Sequence, residues 1–251
     1  MSTEFNFQHH LNNGEVESYQ ALVKQLHDSP IPDNEILANM GLFLNRSSLA
    51  RILFFSDLYK NILNNHGVIM EFGVRWGQTL NLMSCLRSMY EPFNTSRKII
   101  GFDTFSGFPS VSDKDGSTEK SQVGNYSVPT NYEKVLEQHL QIQESLNPKA
   151  NVKKFELVKG DVSQTLPNYL SRHPETILSL VYFDLDLYEP TKFCLEQLLP
   201  YCHKNTIFAF DELCYTDFPG ETLALREVFQ GREYEIIRSP ISPQQSYVVL
   251  V

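Results

Sequence analysis

Five short apolar runs recur along this chain at residues 68–72, 98–102, 154–158, 177–183 and 206–210, each of strand length. A strand with one face in water alternates polar and apolar residues, whereas a continuously apolar one is buried on both faces. Helical spacing separates the runs, at about 77–90, 132–145, 166–171 and 191–199, and returns at 221–229. Strands that alternate with helices pair in parallel, with helices packed above and below the sheet. The last two runs, 234–237 and 247–251, have no helix between them. They predict a hairpin that adds an antiparallel strand to the sheet. The fold class is therefore α/β, a Rossmann-like, mostly parallel, doubly wound sheet with a C-terminal antiparallel hairpin.

Two helices are expected upstream. In the first, Val16, Tyr19, Leu22, Val23 and Leu26 line one face, and Asp28-Ser29-Pro30-Ile31-Pro32 breaks it. The second is capped by Ser47 or Ser48, carries Leu49, Ile52, Leu53, Leu58 and Ile62, and closes at Asn64, Asn65 and Gly67. Residues 1–66 thus read as an N-terminal helical annex to a core at 67–251, in one structural domain overall. A length of 251 residues suits a single core.

The formal net charge of −9 argues against a nucleic-acid partner, which would need clustered Lys and Arg. Cys85, Cys194, Cys202 and Cys214 form no C-x-x-C pair and no zinc spacing, so reduced thiols are expected. The first residues lack a signal segment and no apolar run is long enough to span a bilayer, which predicts a cytoplasmic protein without a membrane partner. The seven histidines, from His9 and His10 to His203, are scattered and read as surface or capping residues.

Ligands of an open α/β sheet bind beyond the carboxyl ends of its strands. Acids fall there on five consecutive strands: Glu71, Asp103, Asp161, Asp184 and Asp211, the last followed by Glu212. Singly, each reads as a helix cap or turn residue. Together they predict an anionic rim suited to a cation, a metal ion or ligand hydroxyls. In the first turn, Gly73 and Gly77 would let the backbone approach a ligand at a helix start. Asp103 could accept hydrogen bonds from both hydroxyls of a ribose. Asp184 and Asp186 share a face by strand periodicity. If the fourth and fifth strands are neighbours, their ends lie about 5 Å apart, and Asp184, Asp211 and Glu212 could hold one cation. An all-oxygen set suits Mg²⁺ or Ca²⁺ rather than zinc.

The segments Glu71-Phe72-Gly73-Val74, Gly101-Phe102-Asp103-Thr104-Phe105-Ser106-Gly107-Phe108-Pro109, Asp184-Leu185-Asp186-Leu187-Tyr188-Glu189-Pro190-Thr191 and Asp211-Glu212 resemble the macrocin-type sugar O-methyltransferases. The resemblance implies a class I methyltransferase fold, S-adenosylmethionine and a divalent metal as cofactors, and a sugar or glycosylated natural product as acceptor. It implies that Glu71, Gly73 and Gly77 border the methionine part of the cofactor, that Asp103 and Thr104 hold the ribose, and that Asp161 lies near the adenine. Asp184 would serve both cofactor and metal, Asp211 and Glu212 would complete the metal site, and Asp186 would be the general base. It also implies a homo-oligomer. Two residues depart from the pattern: Arg75 stands where many methyltransferases have a third glycine, and Glu212 replaces a common second Asp.

Residues 104–130 are too long for an ordinary connection and are expected to cover the site, with Phe105, Phe108 and Tyr126 available to wall a pocket. Three other readings compete. Asp184-Leu185-Asp186 echoes the D-x-D of aspartate-dependent phosphohydrolases, but three strands precede it. Tyr188 and Lys192 fit the Y-x-x-x-K of short-chain dehydrogenases, but Pro190 puts them at a helix start. A non-catalytic glycan- or nucleotide-binding module would have no use for Asp186 beside a metal cluster.

Overall fold

The computed structural model describes residues 13–251, so His9 and His10 lie outside the described residues. The chain divides into two compact units between Arg51 and Ile52.

The first unit holds helices α1 (Asn13–His27) and α2 (Asp33–Ile36), a 3₁₀ segment (Leu37–Phe43) and the start of α3 (Arg46–Asn61). The proline-rich break after α1 falls where expected. Neither α2 nor the 3₁₀ segment is predicted by apolar spacing. The cap of α3 is Asn45 rather than a serine: its side-chain oxygen accepts from Ser48 N at 2.8 Å. The buried face of α3 also differs from expectation, since Leu49 and Leu53 are each 45% exposed while Phe54, Phe55, Leu58 and Tyr59 are buried.

The second unit is built on a seven-stranded sheet. Its strands are β1 (Val68–Phe72), β2 (Ile99–Asp103), β3 (Phe155–Lys159), β4 (Leu178–Phe183), β5 (Ile207–Phe210), β6 (Tyr234–Arg238) and β7 (Ser246–Leu250). Their order is β3-β2-β1-β4-β5-β7-β6. The first five pair in parallel, while β7 runs antiparallel to both β5 and β6. This is the predicted sheet and hairpin. The chain reverses direction across the sheet between β1 and β4, the switch point where α/β sheets open a crevice.

Because successive strand residues point to opposite faces, the apolar runs supply two cores. Phe72, Phe102, Phe183, Phe208 and Phe210 pack with α6 (Val162–Arg172), α7 (Tyr188–Leu198) and α8 (Gly220–Val228). Ile69, Ile99, Leu180, Tyr182 and Ile207 pack with Phe55 and Leu58 of α3, α4 (Gln78–Tyr90) and α5 (Tyr132–Ser145). The rings of Phe102, Phe72, Phe183 and Phe210 stack side by side across four strands, with centroids 4.8, 5.3 and 5.2 Å apart. They form an apolar floor one residue below the acidic rim.

Away from that rim, Glu144 of α5 pairs with the guanidinium of Arg87 on α4 and, at 2.6 Å, with Lys154 just before β3. All three are buried. Among the described residues, no helix is long and apolar enough to cross a membrane.

Candidate active site

The order β2-β1-β4-β5 sets Asp103, Glu71, Asp184 and Asp211 along one edge, as the sequence pattern predicts. Phe183 pairs with Phe210, so Asp184 and Asp211 leave neighbouring strands at the same level. Glu71 is buried one residue before the end of β1, opposite Gly101 and Tyr182.

The glycines of the first turn serve the protein's own packing. Gly73 has φ +91°, and a Cβ there would lie 1.9 Å from the carbonyl oxygen of Asp184. Gly77 (φ +78°) faces Leu136 of α5, whose Cδ1 would lie 2.3 Å from an added Cβ. The close approach expected toward a ligand is thus made first toward β4 and α5.

Asp103 takes hydrogen bonds from Arg75 N on Oδ2 (2.7 Å) and from Phe105 N on Oδ1 (2.5 Å). Each oxygen keeps a lone pair, so two ribose hydroxyls remain within its capacity. Burial raises its pKa against the lowering by backbone donors. Thr104 Oγ1 donates to Gly107 O and accepts from Ser106 N, folding the F-D-T-F turn. Asp161 is exposed at the rim beyond β3 and caps α6 by accepting from Ser163 N at 2.8 Å.

Beyond β4 the chain turns sharply. Asp186 is buried and holds φ +61°, a left-handed backbone that side chains rarely adopt. Burial pushes its carboxyl well above the ordinary range, and the charges of Asp184, Glu212, Glu221 and Asp211 push it further. Glu212 is raised to about 8 by burial and by Asp211 and Asp184, and its Oε2 is buried with no hydrogen-bond partner. Crowding of this kind is what an oxygen-liganded cation relieves. The donors are not assembled into a shell, however: among the described residues no group of three or more His, Cys, Asp or Glu is placed to hold a metal. Asp211 Oδ1 instead accepts from the Tyr182 hydroxyl (2.6 Å) and Gln245 Nε2 (2.8 Å).

Tyr182 and Gln245, which reach the site, were not singled out from sequence, whereas Arg75 and Tyr126 were. Tyr182 lies two residues before Asp184, and strand periodicity could have found it. Gln245 arrives from just before β7 and carries no local signal. Arg75 lies within 5.8 Å of Trp76 and 5.2 Å of Tyr126, centroid to guanidinium carbon; burial lowers its pKa against the opposing charges of Asp184, Asp186 and Asp103. Tyr126 is raised by burial and by the nearby carboxylates of Asp186 and Glu212, so this residue of the 104–130 segment lies close to the acids. That segment is pinned: Lys120 pairs with Asp217 at 2.9 Å, and Phe108 packs with Leu187 and Phe218. Tyr188 and Lys192, by contrast, both bind Glu227, so the Y-x-x-x-K match is a structural contact of α7.

No family model matches the chain, and no curated protein matches it in sequence. Solved structures do. The chain is similar to CalS11, a calicheamicin methyltransferase, at 40% identity over 99% of this chain and 98% of that one, with a TM-score of 0.91. An apo structure of CalS11, described as a TDP-rhamnose 3'-O-methyltransferase, matches at 39% identity over 95% of both chains with a TM-score of 0.83. The O-methyltransferase NovP, at 21% identity over 80% of both chains and a TM-score of 0.61, shares the fold. With a relative of 40% identity along nearly its whole length, the chain belongs to the macrocin-type sugar O-methyltransferases, class I enzymes that depend on S-adenosylmethionine.

Proposed function

We propose that this protein transfers the methyl group of S-adenosylmethionine to a hydroxyl of a sugar, carried on a nucleotide or a glycosylated natural product, with a hard divalent cation such as Mg²⁺ at the acid cluster. The observation that carries the reading is the buried, left-handed Asp186 set among Asp184, Asp211 and Glu212 at the switch point of the sheet. The relative described as a TDP-rhamnose 3'-O-methyltransferase supports a deoxysugar acceptor.

In this reading Glu71, Gly73 and Gly77 border the methionine end of the cofactor, Asp103 and Thr104 hold its ribose, and Asp161 closes the adenine end. Asp184, Asp211 and Glu212 would hold the cation, and the orphaned Glu212 Oε2 fits that role. Bound there, the cofactor supplies an electrophilic methyl on a sulfonium, and the cation supplies Lewis acidity toward adjoining hydroxyls.

The protein's own work is proton transfer and alignment. A sugar hydroxyl is a poor nucleophile until it loses its proton. Asp186 Oδ would accept that proton as the acceptor oxygen reacts. A carboxyl pushed above its usual range is a stronger base than an exposed one, and positive charge brought beside it favours its anionic form. Phe108, Tyr126 and Phe218 exclude water above the turn, and fixing the two reactants in line supplies much of the acceleration.

Asp186→Asn tests the assignment in a methyl-transfer assay on nucleotide deoxysugars, with cofactor binding followed by calorimetry. Turnover is expected to fall by about 10²–10⁴-fold with cofactor affinity retained; near-parental turnover removes Asp186 as the base. The same reading includes a homo-oligomer. None of the described residues up to Arg51 is buried, and Leu37 and Leu42 are 79% and 68% exposed, surface that a second copy could cover. Light scattering measures the assembly directly.

A further inference from the structure

Asp186 is held in its unusual backbone by groups from outside its own strand. The first residue of α8, Gly220, sits directly under the turn: an added Cβ would lie 2.6 Å from Tyr188 N and 2.8 Å from Asp186 O. Only a glycine permits that approach, and it brings the next residue, Glu221, into the interior at 1% exposure. One carboxyl oxygen of Glu221, Oε1, accepts from both Leu185 N (3.0 Å) and Asp186 N (3.3 Å). These two amides lead directly into the left-handed residue, and no strand ladder serves them. Glu221 Oε2 is buried with no hydrogen-bond partner. Beside Gly220, Asp115 Oδ1 accepts from Tyr188 N at 2.5 Å.

An acid in the first turn of a helix ordinarily stays in water, where it favours the helix dipole. Glu221 instead bears the cost of burial beside Asp184, Asp211 and Glu212. Stability of α8 does not require that, because an exposed acid would serve the helix as well. What the buried position uniquely provides is one acceptor shared by the two amides that set the direction of Asp186.

We propose that Glu221 is a positioning residue that holds the Asp186 turn in the orientation proton transfer requires. The proposal rests on the reading of Asp186 as the base. What it needs is an acceptor oxygen at the right reach, not a negative charge. Glu221→Gln keeps both and should turn over within about threefold of the parent. Glu221→Asp is one methylene short and Glu221→Met has no acceptor, and each should lose about a hundredfold in kcat, the scale set by misplacing a catalytic group by 1 Å. Cofactor affinity by calorimetry and acceptor KM should stay within about threefold in all three variants.

Asp186→Asn is assayed beside them. If it retains turnover, the base assignment fails whatever Glu221 does. If it is inactive while Glu221→Asp or Glu221→Met keeps near-parental kcat, the positioning role is overturned and the base assignment stands. If Glu221→Met does not fold, Glu221→Asp carries the test. A Glu221→Gln enzyme that folds and binds cofactor, yet is as impaired as Glu221→Asp, overturns the shared-acceptor argument.

Discussion

Replacing Gly73 with alanine probes the contact between β1 and β4 on which the site depends. A methyl group at this position would lie 1.9 Å from the carbonyl oxygen of Asp184 and 2.6 Å from its carbonyl carbon. Ordinary contact starts near 3.4 Å, so the two strand ends must part by about 1.5 Å. The neighbouring hydrogen bond from Asp184 N to Phe72 O, 2.8 Å long, cannot survive that movement intact. A side chain at φ +91° adds a further cost of about 1–2 kcal/mol. With the weakened backbone bond at about 1 kcal/mol, the total reaches roughly 2–3 kcal/mol before any clash remains. In a domain of this size, 1 kcal/mol moves the melting temperature by about 2–4 °C, so Tm should fall by roughly 4–12 °C. The larger effect is on turnover. Asp184 moves with the strand end, and about 1 Å of misplacement costs on the order of a hundredfold. Thermal melts and methyl transfer per folded molecule measure the two effects separately. Unchanged Tm together with turnover within about threefold of the parent would refute the reasoning; a lowered Tm with normal turnover would refute its second half.

Other contacts of the fold are open to the same kind of test. Glu144→Ala strands Arg87 and Lys154 as buried cations and should cost about 3–5 kcal/mol; the folded remainder should methylate normally, and calorimetric melting tests this. The carboxyl of Glu212 is raised to about 8 in the fold from an ordinary value of 4.5, so the folded protein retains a proton that the unfolded chain releases. Stability of the metal-free protein should therefore fall as pH rises from 4.5 to about 8, with no contribution below that window. Added Mg²⁺ should raise Tm more at about pH 8 than at about pH 6, and Glu212→Gln should flatten both dependences. A Tm indifferent to Mg²⁺ at the higher pH would count against cation binding at the cluster.

Chain order and burial were legible in the sequence because they rest on local chemistry. Leu178-Ser179-Leu180-Val181-Tyr182-Phe183 is apolar on both faces apart from one serine and is buried throughout, so a doubly covered parallel strand follows from composition alone. The acids at its end and at the ends of its neighbours are equally local, and the strand order required only that the fourth and fifth strands pair, which they do. Failures occurred where two local signals were equivalent. Asn45 and the following serines are all good caps, and only the tertiary position of α3 selects Asn45. Leu49 and Leu53 have the spacing of a buried face, but the orientation of the helix turns Phe54 and Phe55 inward instead.

By itself, then, the amino-acid order determined the sheet, its antiparallel edge and the row of carboxylates along one rim, because periodicity and side-chain chemistry act within a few residues. Tertiary structure alone decided which groups control those carboxylates. Glu221 and Asp115 reach the Asp186 turn from 35 and 71 residues away in sequence, Gln245 reaches Asp211 from the hairpin, and Gly73 and Gly220 matter for the backbone lying against them. Such contacts join segments distant in sequence, and no property of either segment names its partner until the chain has folded.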